Sequence, residues 1–202
     1  MVMDYFIFVV GFYVANICVL ATVVLAYYGM ISGIWPPPTR KAFLAGWGWY
    51  AASLAVALRL SLLPPSIPKP FDSLVWRGAG TILIGLSCVV FLWAIAAFRS
   101  IGRVAGTRID RLITQGPYRY MRHPQYTSLF LFLYGFTLVQ SSLHFLAYSL
   151  IISAIFHFLA MLEERYLMRR FGEDYSRYRE NTSMFIPRLR KAALLQPEGK
   201  TS

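Results

Sequence analysis

Charge is what this chain of 202 residues has least of: 14% of its residues are Asp, Glu, Lys or Arg, against 57% that are hydrophobic. A soluble domain of this length has no core able to hide so much apolar surface, which argues against a water-soluble globule. Acidic residues are the scarcer sign, nine against twenty basic ones, for a net charge of +11. That excess does not point to nucleic acid, because the basic residues flank apolar runs instead of lining one soluble face. Lipid headgroups and anionic ligands are the partners that fit. Cysteine is sparse too. Cys18 and Cys88 each sit inside an apolar run without CxxC spacing or a neighbouring His, so neither a metal site nor a disulfide is expected.

The few charges are segregated. None occurs between Tyr5 and Thr39, and none between Pro124 and Leu162. The first run is far longer than the roughly 7–15 residues of a signal-peptide apolar region, and Asp4 stands where a basic flank would be, so a permanent span is expected. With about 20 apolar residues as the measure of a bilayer crossing, five segments qualify. The first runs from Tyr5 to Ile31, stopped by Trp35-Pro36-Pro37-Pro38, since proline lacks the backbone donor that a helix needs. The second runs from Ala42 to Leu63 with Arg59 placed to snorkel to the headgroups, and the third from Leu74 to Phe98 with Arg77 near its end. Gly78, Gly80, Gly85 and Ser87 offer this third helix a close neighbour. The charge-free run 124–162 is too long for one span and predicts a tight hairpin turning at Gln140-Ser141-Ser142. The expected fold is all-α: a polytopic integral membrane protein of about five transmembrane helices, with an N-terminal three-span region over 1–98, a core over 99–190 and a flexible tail over 191–202.

Basic residues give the orientation. Arg99, Arg103, Arg108, Arg111, Arg119 and Arg122 fill the 99–123 loop, a second group follows Leu162, and Arg40 and Lys41 follow the first span. The other side has Lys69, with Arg59 and Arg77 at helix ends. Positive charge stays cytoplasmic, so the N-terminus is expected outside and loop 99–123 and the C-terminus in the cytoplasm.

Two polar segments then meet at the cytoplasmic surface. Asp110 to Tyr126 contains the turn Gly116-Pro117 and places Pro124 at the first position of the fourth span, where the free amides of a helix N-terminus can hold a carboxylate. Glu163-Glu164-Arg165-Tyr166-Leu167 and Phe171-Gly172-Glu173-Asp174-Tyr175-Ser176-Arg177-Tyr178 follow the hairpin. Spacing alone leaves open whether Glu163 is a structural partner of Arg122 and His123 or a ligand group.

The run Leu112-Ile113-Thr114-Gln115-Gly116-Pro117-Tyr118 through Arg122-His123-Pro124-Gln125-Tyr126 resembles the signature loop of the isoprenylcysteine carboxyl methyltransferase and phospholipid methyltransferase superfamily, and the EExxL and FGxxYxxY elements resemble that family's tail. Order, separation and the intervening hairpin agree over roughly residues 103–188. The resemblance implies S-adenosyl-L-methionine as cofactor, in a cytoplasmic site formed by the last loop, the hairpin and the C-terminal tail. By position its contacts fall on Arg103, Asp110, Arg111, Leu112, Ile113, Tyr118, His123, Pro124, Gln125, Tyr126 and Glu163. Glu163 is then the expected partner of the cofactor ammonium, and Tyr118 or Tyr126 of the nucleoside. His123 either joins the site or braces the loop. Arg119 and Arg122 are candidate contacts for an anionic, lipophilic methyl acceptor, or positive-inside anchors.

Transfer from a sulfonium is an in-line displacement governed by alignment and desolvation, and a carboxylate acceptor needs no base, whereas an amine or thiol must lose a proton. With no dedicated base besides His123, the residues favour a carboxylate such as that of a prenylcysteine-like acceptor. The alternatives are a phospholipid N-methyltransferase, an NADPH-dependent reductase of the sterol type, and a non-catalytic scaffold. Leu159 stands where the eukaryotic isoprenylcysteine enzymes carry an Arg, and Asp110 or Arg111 where a His usually precedes the loop motif.

Overall fold

A computed structural model describes residues 2–33, 36–37, 39–62, 69–98 and 111–187. Arg103, Asp110 and the tail 191–202 lie outside them. The described chain is helical: α1 (Val2–Tyr27), α2 (Arg40–Ser61), α3 (Leu74–Phe98), a single 3-10 turn (Gly116–Arg119), α4 (Pro124–Gln140), α5 (Leu143–Phe171) and α6 (Glu173–Asn181). The helices α1, α2, α3 and α5 are long and apolar enough to cross a membrane. At 17 residues α4 is at the short limit of a span. The molecule is an all-α polytopic membrane protein.

Local chemistry explains the helix ends. α1 stops at Tyr27, ahead of the expected Ile31 and well before the prolines. Gly29 adopts φ +80° there, its amide bonds Ala26 O and the Met30 amide bonds Leu25 O, a Schellman closure that a glycine at this position makes inexpensive. α2 begins two residues earlier than expected because the Thr39 side chain accepts from the Ala42 amide at 3.1 Å. The hairpin turns where expected: Ser141 takes the left-handed conformation and Ser142 caps α5 by accepting from the Phe145 amide. Ser141 Oγ also accepts from the Phe71 amide at 2.8 Å, tying the segment ahead of α3 to this turn.

The helices pack in register. Tyr13 meets His144 and Tyr27 meets Phe158, so α1 runs parallel to α5. Ser53 bonds Tyr148 and Tyr50 packs on Phe156, so α2 runs antiparallel to α5. α3 lies along α4, with Gly80 against Gly135 and Ser87 Oγ donating to Ser128 O at 2.8 Å. A Cβ at Gly80 would sit 2.5 Å from Gly135 O, so that contact requires glycine; Gly78 and Gly85, by contrast, face open space. The core lies where α1, α2 and α4 meet α5, around Phe145, Tyr148, Ile152 and Leu133, with Leu159 packed against it.

The 29 residues of α5 span about 43 Å at roughly 1.5 Å per residue. A hydrocarbon core of about 30 Å accommodates only about 20 of them. The apolar run uses these up at Leu162, and the rest of the same unbroken helix stands beyond it, beginning with Glu163-Glu164.

Candidate active site at the end of α5

Three stretches converge on that junction. The 3-10 turn carries Tyr118, buried to 8% exposure, on Gly116, whose φ of +61° lets the chain fold under Trp93 and Ala97 of α3. α4 follows with His123 as its N-cap and Pro124 at N1, and α5 delivers the two glutamates. From the other side comes the segment after α6. Met121 and Ser183 form a parallel bridge, and the Arg122 and His123 amides donate to Ser183 O at 2.8 Å and Met184 O at 3.1 Å. Tyr178 Oη donates to Tyr118 O at 2.7 Å, and Thr127 Oγ1 donates to Phe185 O at 2.9 Å. The tail is thereby stitched across the loop.

Adjacent residues on a helix point about 100° apart, and the two glutamates do different things. Glu164 is neutralised. Arg122 Nε lies 2.7 Å from its Oε1, His123 Nε2 3.2 Å from the same oxygen, and Arg179 Nε 3.8 Å from Oε2. Glu163 accepts from Tyr126 Oη at 3.2 Å and has His123 Nδ1 at 3.7 Å, with no Lys or Arg ion pair among the described residues. The imidazole therefore stands between the two carboxylates. It lies parallel to the Tyr126 ring, centroids 5.4 Å apart, and its other neighbour is Phe185 at 5.9 Å.

The loop and tail tyrosines stay protonated. Burial pushes the Tyr118 hydroxyl far above its ordinary value, and the negative charge of Glu163 and the neighbouring Tyr178 add to it. Burial does the same to Tyr175 and Tyr178. These are neutral hydrogen-bonding groups at any physiological pH.

Of the residues singled out from sequence, Tyr118, His123, Tyr126 and Glu163 come together here, with Pro124 buried beneath them. Gln125 is half-buried in the first turn of α4; Leu112 and Ile113 are half-buried and Arg111 exposed ahead of the 3-10 turn. Arg119 is exposed at the end of that turn. Arg122 is held: besides Glu164, its guanidinium donates to Arg179 O at 3.1 Å and to Thr182 O. Sequence reasoning passed over Glu164, Tyr175 and Tyr178, although all three lie in the quoted tail elements. What was missing was the chain reversal at Gly172, φ +52°, which turns α6 back onto α5. Among the described residues no group of three or more His, Cys, Asp or Glu is arranged to hold a metal ion.

Residues 75–174 match the model of the phospholipid methyltransferase family. A protein-S-isoprenylcysteine O-methyltransferase of Schizosaccharomyces pombe is 34% identical over 77 residues, which are 38% of this chain and 33% of that relative. A nickel-cobalt-cadmium resistance protein, NccN, of Alcaligenes xylosoxydans xylosoxydans is 23% identical over 65% of this chain and 76% of its own length. The chain thus spans about a third of the length of the fission-yeast relative. No solved structure matches. The matched stretch starts in α3, takes in the loop and the α4–α5 hairpin with both glutamates, and ends in α6, and over it the chain is similar to the phospholipid methyltransferase family.

Proposed function

We propose that the chain is an S-adenosyl-L-methionine-dependent membrane methyltransferase that methylates the carboxylate of a lipophilic, prenylcysteine-like acceptor at the cytoplasmic face of the bilayer. The observation that carries this reading is the unequal neutralisation of the paired carboxylates. Among the described residues Glu164 has arginines and a histidine, whereas Glu163 has a tyrosine hydroxyl and one imidazole nitrogen, which leaves it in demand of a cation. The cofactor's ammonium answers that demand. When bound, the cofactor supplies a methyl group on a sulfonium.

The chain's own residues do the rest by positioning. Tyr126 orients the Glu163 carboxylate, and the rings of Tyr118 and Tyr126 offer faces to the nucleoside. The first turn of α4, begun by Pro124, offers the amides of Gln125 and Tyr126 to the cofactor carboxylate. Arg111, Leu112 and Ile113, with Arg103 and Asp110, complete the set expected from the family resemblance. With Arg122 held by Glu164, Arg119 is the exposed guanidinium for an anionic acceptor. His123, braced by Glu164, orders the loop and does not serve as a base, which is compatible with an acceptor that is already ionised.

Calorimetric titration of the detergent-solubilised protein with S-adenosylhomocysteine tests the cofactor: binding is expected in the parent, with at least a tenfold loss in Glu163→Gln, the scale of a charged hydrogen bond. Incubation with labelled S-adenosylmethionine then tests the acceptor. A base-labile ester on prenylcysteine analogues supports the reading; a stable N-methyl label on phosphatidylethanolamine replaces it. Binding of a nicotinamide cofactor in place of S-adenosylhomocysteine overturns it.

A further inference from the structure

The three histidines of the chain are placed differently. His123 stands between the paired carboxylates, and His144 Nδ1 lies 3.2 Å from Tyr13 Oη. His157 is exposed, and it has no hydrogen bond or ion pair among the described residues. It lies inside the apolar run of α5, six residues before Glu163, and so about 9 Å deeper toward the bilayer at roughly 1.5 Å per residue. A neutral imidazole has one donor and one acceptor, and hydrocarbon satisfies neither. Other polar groups of the spans are paired within the bundle: Ser53 with Tyr148, Ser87 with Ser128 O, and Thr137 with Ser149. An ionisable side chain turned outward in a span calls for a partner that the lipid side brings.

The neighbours of His157 join it to the site. The Phe185 ring lies on it, centroids 5.7 Å apart, and reaches His123 at 5.9 Å and Phe130 at 5.3 Å. One aromatic ring therefore separates His157 from the imidazole between the two glutamates. The surroundings are otherwise apolar: Ile186 beside Phe185 is exposed, Leu159 packs inward on the core, and His157 is the one polar residue of 154–162. A lipid-borne acceptor travels with its chain in hydrocarbon and its polar end toward the site. That end carries oxygens that accept hydrogen bonds, and the imidazole N–H donates one. We infer that His157 donates a hydrogen bond to the polar end of the lipophilic acceptor, holding it against Phe185 on the bilayer side of the site. The inference rests on the acceptor reading above and adds to it a residue that recognises the acceptor.

The test compares His157→Phe and His157→Gln with the parent in detergent, using labelled S-adenosylmethionine and N-acetyl-S-farnesylcysteine as acceptor. In His157→Phe the KM for the acceptor is expected to rise about tenfold, the scale of a hydrogen bond to a charged group, with kcat largely kept. Gln retains an N–H donor and should restore most of the loss. Calorimetric affinity for S-adenosylhomocysteine should be the same in all three proteins. An unchanged acceptor KM in His157→Phe overturns the inference, assigns the imidazole to surrounding lipid and leaves the acceptor reading standing. A loss that Gln does not restore, or one shared by S-adenosylhomocysteine, makes the side chain a packing group and also overturns it. If the parent binds S-adenosylhomocysteine but forms no ester on the farnesylcysteine, the acceptor reading and this inference fall together.

Discussion

Arg122 Nε lies 2.7 Å from Glu164 Oε1, and the same guanidinium reaches the carbonyls of Arg179 and Thr182. One side chain of the loop thus holds both the end of α5 and the far end of α6. Both partners of the ion pair are largely buried, 12% and 11% exposed, so removing one strands the other. Glu164→Leu or Arg122→Leu should each lower stability by about 3 kcal/mol in chemical unfolding in detergent. Replacing both together should cost less than the sum of the two. Additive losses would show that the contact is not coupled.

The α3–α4 contact gives a second expectation. Gly80→Ala must displace the Gly135 backbone, whereas the added methyl of Gly78→Ala meets nothing. The first should destabilise by roughly 1–3 kcal/mol and the second by close to nothing, as read from paired thermal melts.

Tyr126→Phe removes the hydroxyl that holds the Glu163 carboxylate and keeps the ring beside His123. Affinity for S-adenosylhomocysteine should fall about fivefold, the scale of one hydrogen bond, with the fold intact by circular dichroism. An unchanged affinity would mean that Glu163 is oriented without it.

Alkaline pH probes the tyrosines of the loop and tail. Tyr118, Tyr175 and Tyr178 have hydroxyls raised above the ordinary value of 10.0, so the folded chain keeps protons that the unfolded chain releases. Their contribution to stability is complete below pH 10 and is lost as pH rises above it. Ultraviolet titration should show these phenols ionising only together with unfolding, and Tyr178→Phe should shrink that alkaline step.

Much of this was legible in the residue order because lipid allows so few alternatives. Charge-free runs bounded by proline and serine had to be helices, and α3 and the hairpin fall where their composition places them. The end of α1 was less legible, since the prolines are the louder signal and a single glycine closes the helix first. In the site, the family motifs marked Tyr118, His123, Tyr126 and Glu163. What they could not convey was which glutamate faces which partner, because that depends on a 100° step around α5 and on a tail that returns after Gly172. The role of Glu164 is a property of the folded cluster and has no separate mark in the sequence.

The continuity of α5 has a mechanical side. Since no break separates its apolar run from Glu163, the helix is a single rod whose buried length sets how high above the lipid the carboxylate stands. Adding one residue between Phe156 and Leu162 would lift Glu163 by about 1.5 Å and swing it by about 100°, away from Tyr126. A thicker or thinner bilayer poses the same problem from outside, drawing the rod inward or leaving apolar turns bare. Membrane thickness thereby sets how far the two glutamates at the end of this rod stand from the lipid.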